Sequence, residues 1–276
     1  MRSIAEQTIL VTGATDGLGR QVALDLAEQG ATLILHGRDH PRGAEVLADV
    51  HRAAGHERST LVLADLSSLD EIRRLAAEVE DGFARLDVLV SNAGLGGTPD
   101  RRESGDGHEL VLAVNYLSGF LLTALLLPLL RRSAPARIVN VASIGQQAID
   151  FDDVMLERSY EQFGAYSQSK LAQILFTFEL SERLGADSGV TVNGLHPATL
   201  MDTTMVRESF GRSRTTVEEG ARATERLIVD PDLDAVTGRY YDGLEESTAD
   251  PQAYDTDSRR RLWTLSEELT GARFEL

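Results

Sequence analysis

The sequence predicts an α/β fold in which a doubly wound parallel sheet of about seven strands carries helices on both faces. Three observations predict it. Short apolar runs alternate with helical apolar periodicity along all 276 residues. A glycine-rich turn joins the first apolar run to the first helical pattern. No internal repeat, low-complexity tract or linker divides the chain, so a single domain is expected over residues 1–276.

The elements follow in order. Thr8-Ile9-Leu10-Val11-Thr12 reads as the first strand and opens into the glycine turn and a helix over 17–29. The second strand, 31–36, ends at His36 before Gly37-Arg38-Asp39, and a helix over 42–54 follows. A third strand, 60–64, precedes Asp65-Leu66 and a helix over 69–81. The fourth, 87–91, runs into Asn92-Ala93-Gly94, and a long helix is expected over 107–131. Strand 136–141 leads to Ser143, helix 162–184 carries Tyr166 and Lys170, and strand 190–195 ends before His196-Pro197. Residues 197–216 are polar and weakly patterned and read as a mobile substrate loop, after which helix 217–229 and strand 238–241 complete the sheet. In such a sheet ligands bind beyond the carboxyl ends of the strands, where strand order reverses.

Composition narrows the function. Acidic residues outnumber basic ones 44 to 27, a formal charge of -17, which argues against nucleic acid and anionic membranes as partners. With no cysteine, disulfides, thiolate chemistry and cysteine-ligated metals are excluded. No set of His, Asp and Glu has a metal-ligand spacing, so no metal is expected. His108 and His196 read as structural or surface residues. From Leu110 to Leu130 no residue is charged, a length that could span a bilayer. Asn115, Tyr116, Ser118, Gly119, Thr123 and Pro128 interrupt it, so a buried core helix rather than a membrane span is expected. The opening residues lack the shape of a signal peptide, and a cytoplasmic location is expected.

Three motifs carry chemistry. In Thr12-Gly13-Ala14-Thr15-Asp16-Gly17-Leu18-Gly19 the glycines let backbone approach a pyrophosphate, and the helix that follows offers unpaired N–H groups. At the end of the second strand, where an NAD site places an acid for the ribose hydroxyls, stands His36, followed by Arg38. A guanidinium there can hold a 2′-phosphate, so NADP(H) is the expected cofactor. Tyr166-Ser167-Gln168-Ser169-Lys170 places a phenol and an ammonium at i and i+4 on one helix face. A fixed cation favours phenolate and lowers the tyrosine pKa, which suits proton exchange with a carbonyl or alcohol. Lys170 is the only lysine beside 26 arginines.

With these motifs in order, the chain resembles the short-chain dehydrogenase/reductase family from about Thr8 to the C-terminus. The resemblance implies a single-domain Rossmann fold. It assigns Asp65 and Leu66 to the adenine, Asn92, Ala93 and Gly94 to a loop beneath the nicotinamide half, and Asn115, Ser143, Tyr166 and Lys170 to a catalytic tetrad. Gly13, Thr15, Asp16, Gly17, Leu18 and Gly19 would hold the pyrophosphate, with Pro197 and Thr199 beside the carboxamide. Here the sequence departs from the pattern: Ala198 replaces the usual glycine, and either Thr199 or Thr203 could be the carboxamide threonine.

The segment Ile149-Asp150-Phe151-Asp152-Asp153, Gly37-Arg38-Asp39, Thr237-Gly238-Arg239-Tyr240 and Leu262-Trp263-Thr264-Leu265-Ser266 resemble the retinol-dehydrogenase-like branch. This implies reversible hydride transfer between NADP(H) and a ketone, aldehyde or secondary alcohol. Tyr166 would exchange the proton, Ser143 bond the same oxygen, Lys170 bind the ribose and depress the Tyr166 pKa, and Asn115 hold a relay water. Leu95, Ile144, Phe163, Met201, Met205 and Phe210 flank these loops, so a small-molecule substrate of apolar character is expected. A homodimer or homotetramer paired through helices 107–131 and 162–184 is also implied, unless the lengthened interval before Tyr166 blocks it. A sugar-nucleotide epimerase would carry a differently spaced turn and a larger C-terminal region. A nucleotide sensor would have lost the tyrosine or lysine.

Overall fold

The structure, a computed structural model, describes residues 1–276, apart from the side chains of Ser209 and Phe210. Seven strands form one parallel sheet: β1 (Thr8–Val11), β2 (Thr32–Gly37), β3 (Thr60–Leu63), β4 (Val88–Ser91), β5 (Ala136–Val141), β6 (Val190–His196) and β7 (Arg239–Asp242). An eighth, the two-residue β8 (Glu245–Glu246), pairs antiparallel with β7 across a turn at Gly243 (φ 57°). The order is β3-β2-β1-β4-β5-β6-β7-β8, so the direction of winding reverses between β1 and β4. Strands such as Ile9-Leu10-Val11 are apolar on both faces because both faces are covered. Leu10 belongs to the layer under one set of helices, Ile9 and Val11 to the layer under the other.

One face is covered by α1 (Gly17–Glu28), α2 (His40–Ala54) and α8 (Val217–Val229). The other carries α3 (Leu69–Gly82), the helix formed by α4 (Leu110–Leu112) and α5 (Ser118–Arg132), α6 (Gln162–Leu184) and α9 (Thr256–Thr270). Side-chain caps set several starts: Asp16, Asp39, Ser68, Thr216 and Asp255 each accept a backbone N–H of the helix they open.

Four expectations are revised. The second strand ends at Gly37 rather than His36. The long helix starts at Leu110 and is broken by a π turn over Ala113–Leu117, which contains Asn115. The stretch 197–216 is a built element: Leu200 (φ 52°) accepts from Arg214 N at 2.8 Å, Met201 bridges to Thr215, and α7 (Thr204–Phe210) starts on a Thr203 cap. Finally α9, which periodicity alone did not predict, packs on α6. The stretch Leu110–Arg132 is long and apolar enough to cross a membrane, yet 83% of its most apolar window is buried inside the fold.

Candidate active site

At the carboxyl ends of the strands, over the switch between β1 and β4, lies a cleft of about 760 Å³. Every predicted site residue lines it except Asn115.

The dinucleotide end is built by backbone. Gly13 (φ 65°) and Gly17 (φ 50°) occupy the left-handed region, where other residues are strained. A Cβ on Gly19 would lie 2.3 Å from the Gly13 carbonyl and 2.4 Å from Asn92 Nδ2, so only glycine fits. Asn92 ties the two loops together, donating from Nδ2 to the Thr12 carbonyl at 2.8 Å. Thr12 Oγ1 in turn accepts N–H groups of Asn92 and Ala93 at 2.9 and 3.0 Å. The Asp65 carboxylate accepts from Ser67 N at 2.9 Å, fixing the turn that carries Leu66. This cradle, with the α1 N-terminus aimed at it, fits the pyrophosphate of a dinucleotide.

At the β2 end the geometry differs from the expectation. The terminal residue is Gly37, and a Cβ there would sit 2.4 Å from Thr15 Cγ2, so an acidic side chain at this position would have to displace Thr15. Asp39 is committed elsewhere, accepting Arg42 N at 2.9 Å as the α2 cap. Arg38 and Arg42 line the cleft mouth, and neither guanidinium meets a carboxylate among the described residues. Sequence reasoning passed over Arg42. The available signal was its place four residues after Arg38, in the first turn of a helix.

At the opposite end stand Ser143, Tyr166 and Lys170. Ser143 follows β5, and its carbonyl is held by the Tyr240 hydroxyl at 2.9 Å and Gln146 Nε2 at 3.0 Å. Its Oγ accepts Gly145 N at 3.0 Å and also hydrogen-bonds Tyr166. Tyr166 and Lys170 share a face of α6, with Nζ 5.7 Å from the ring centroid. Nζ donates to the Val141 carbonyl at 2.8 Å and Gln173 Oε1 at 2.9 Å. Burial pulls the Lys170 pKa down from 10.5 to about 7. The expected depression of the Tyr166 phenol is not found: burial pushes its pKa up, and the Ser143 hydrogen bond only partly opposes this. The reason is that the ammonium is itself desolvated and turned toward Val141 and Gln173.

Asn115 lies behind the wall rather than on it. Both its N–H groups are used, on the Leu95 carbonyl (3.0 Å) and Ser169 Oγ (2.9 Å), while Oδ1 accepts Leu95 N at 2.7 Å. The side chain therefore fastens the loop after β4 to α6, leaving one Oδ1 lone pair for a water.

After β6, Pro197, Ala198 and Thr199 line the cleft, and Thr199 Oγ1 pairs with His196 Nε2 at 3.0 Å. Thr203 is used as the α7 cap, accepting Val206 N at 3.2 Å, and its methyl approaches Gly17. The two threonines thus serve different ends of the cleft. Leu95, Ile144, Phe163 and Met205 line the cleft, with Ile144 and Phe163 exposed, whereas Met201, expected with them, also lines it but packs toward Leu18 of α1 and Gly220 of α8. Phe163 stacks on Tyr166 at 6.1 Å and 27°. Phe210, expected with them, lies outside the described side chains. Among the described residues no group of three or more His, Asp or Glu could hold a metal.

A glycine cradle at the strand switch and a Ser-Tyr-Lys cluster facing it define a nicotinamide-dependent oxidoreductase. The family model described as short chain dehydrogenase matches residues 7–213, and the chain belongs to that family, in its retinol-dehydrogenase-like branch. Retinol dehydrogenase 13 of Homo sapiens is 39% identical over 292 residues, covering 98% of this chain and 86% of that protein. An uncharacterized protein from Mycobacterium Paratuberculosis shares the fold with a TM-score of 0.79 and 30% identity, over 100% of this chain and 97% of that one. A short chain dehydrogenase from Shigella flexneri 2a str. 301, complexed with NADP, has a TM-score of 0.71 and 27% identity over 86% and 97% of the two chains.

Proposed function

We propose that this protein is an NADP(H)-dependent enzyme that interconverts an apolar ketone or aldehyde and its alcohol. The observation that carries the reading is the pairing, in one cleft, of two uncommitted guanidiniums at one end with Ser143, Tyr166 and Lys170 at the other. Arg38 and Arg42 would take the 2′-phosphate, the turn from Gly13 to Gly19 the pyrophosphate, and Pro197 and Thr199 the carboxamide. The bound nicotinamide supplies hydride exchange with the substrate carbon.

The protein's own part is proton transfer and orientation. Tyr166, kept protonated by burial, donates to the carbonyl oxygen in reduction. Ser143, its carbonyl pinned from β7, presents its hydroxyl to the same oxygen, so developing charge meets preorganised donors. Lys170, with a pKa near neutrality, can exchange protons toward Tyr166 at physiological pH. Asn115 holds the loop and helix that set this geometry. The apolar mouth of Leu95, Ile144, Phe163 and Met205 favours a bulky hydrophobic substrate. Leaving its buried surface wet would forgo about 25 cal/mol per Å².

The test is turnover with NADPH and with NADH over a panel of ketones and aldehydes of graded size and charge. NADPH preference with bulky apolar carbonyls is expected. Equal use of both cofactors, or small charged substrates turning over as well as bulky ones, would refute it.

A further inference from the structure

His36 lies at the dinucleotide end of the cleft and is 2% exposed, one residue before the end of β2. Its Nδ1 accepts the Gly13 N–H at 3.1 Å, and its Nε2 stands 3.0 Å from the Ala64 carbonyl oxygen. Its own carbonyl accepts Ala14 N at 2.8 Å. An amide can only donate and a carbonyl can only accept, so Nδ1 is bare and Nε2 carries the proton. One neutral tautomer satisfies both neighbours. The ring therefore bridges from its own strand to the ends of both adjacent strands, β1 and β3.

We propose that His36 is a positioning residue for the cofactor: it holds Gly13 in the left-handed conformation that keeps the outer face of the turn open to the pyrophosphate. The inference rests on reading the cleft as a dinucleotide site. A glycine at φ 65° has other basins within reach, and something must select this one. The half-buried N–H of Gly13 finds this acceptor only while the turn keeps this shape. An apolar residue at 36 would strand that donor, a penalty the turn could relieve by rearranging. Burial pulls the His36 pKa down, with Arg38 nearby adding to this and the Ala64 carbonyl and Asp65 opposing it. The ring thus stays in the neutral form the geometry needs.

The experiment is calorimetric titration of NADP⁺ into the wild type, His36→Leu and His36→Asn, beside steady-state kinetics and melting. The asparagine Oδ1 stands close to where Nδ1 was and restores the acceptor. His36→Leu should weaken Kd and KM for the cofactor about tenfold or more, with kcat at saturating cofactor within about twofold. His36→Asn should recover to within about threefold of wild type. Wild type that fails to bind NADP⁺ overturns the dinucleotide reading itself. Wild type that binds, with His36→Leu unchanged, overturns this inference alone, as does asparagine that rescues nothing or a kcat that falls in step with KM. Should His36→Leu fail to fold, imidazole ¹⁵N spectra of wild type decide. A bare Nδ1 that shifts on NADP⁺ addition supports the proposal, and a protonated Nδ1 overturns it.

Discussion

Lys170 is the one lysine among 27 basic residues, and its Nζ is buried between the Val141 carbonyl and Gln173 Oε1. An ammonium there can give up its proton near pH 7, and a guanidinium, charged at every accessible pH, cannot. Lys170→Arg should therefore lose turnover by about a hundredfold or more and also melt earlier, because it buries a permanent, larger charge. Lys170→Met should be as inactive but fold well, since it removes a desolvated cation. Activity at saturating NADPH beside thermal melting checks both. At the other end, Arg38→Asp should raise KM for NADPH by roughly tenfold to a hundredfold, the equivalent of about 1.5–3 kcal/mol for a charge-assisted contact. Arg42→Asp should act in the same direction, and neither should raise KM for NADH. If both variants left the NADPH/NADH ratio untouched, the 2′-phosphate would be held elsewhere.

Among the elements, α9 changes how the site helices present themselves. Trp263 and Phe274 pack on Phe120 of α5 at 5.2 and 5.0 Å, and Trp263 lies 6.0 Å from Phe176 of α6. Arg183 stacks over Trp263 at 4.2 Å, and Arg183 and Arg259 both reach the buried Glu179, at 2.7 and 3.4 Å. Ile149 and Val154, from the lengthened interval before Tyr166, join the same core. With α9 packed on α6 and its Trp263 against Phe120 of α5, we propose that the expected pairing through these helices does not form. Light scattering should give a mass near 30.1 kDa, and a dimer whose cross-links map to α5 or α6 would contradict this. Trp263→Ala should cost about 3–5 kcal/mol in denaturant unfolding, the usual penalty for emptying an aromatic site.

For the whole molecule, one half-buried and one buried group give stability opposite slopes with pH. Glu225 of α8 is pushed up to about 8 by burial and by its hydrogen bond to Asp25 of α1. Its folded pKa is raised, so its contribution is complete below about 4.5 and is lost as pH rises through about 8. Lys170 is depressed, so the folded state gains stability as pH climbs from about 7 toward 10.5. Glu225→Gln keeps a hydrogen-bonding amide and removes the first slope. It should match wild type near pH 5 and exceed it near pH 9 by on the order of 1 kcal/mol. Urea titrations at the two pH values read this directly, and an equal offset at both would show that the Asp25–Glu225 contact is not proton-linked.

What the sequence determined by itself was local in origin. Strand and helix order, the glycine turn, and the i, i+4 placement of Tyr166 and Lys170 follow from periodicity and spacing, which act over a few residues. The residue set of the cleft was legible for the same reason, because the loop motifs sit just after strands and the tyrosine and lysine share one helix face. Contacts between distant segments were decided only by the tertiary structure. Asn115 sits in a π turn that no periodicity announces, and from there it braces Leu95 and Ser169 behind the wall.

 The Lys170 and Tyr166 pKa values follow from burial, which depends on how α6 packs between β5, β6 and the loop after β4. His36 turned inward because β1 and β3 flank its strand, and Gly37 took the strand-end place because the β2–β3 ladder extends one residue further than the apolar run. The α9 cover was hidden because its apolar residues are few and spaced to meet Phe120 and Phe176, partners more than 80 residues away in the chain. Short-range pattern can name the residues of a site, but their protonation, their partners and the faces they leave exposed depend on which distant segments are brought against them.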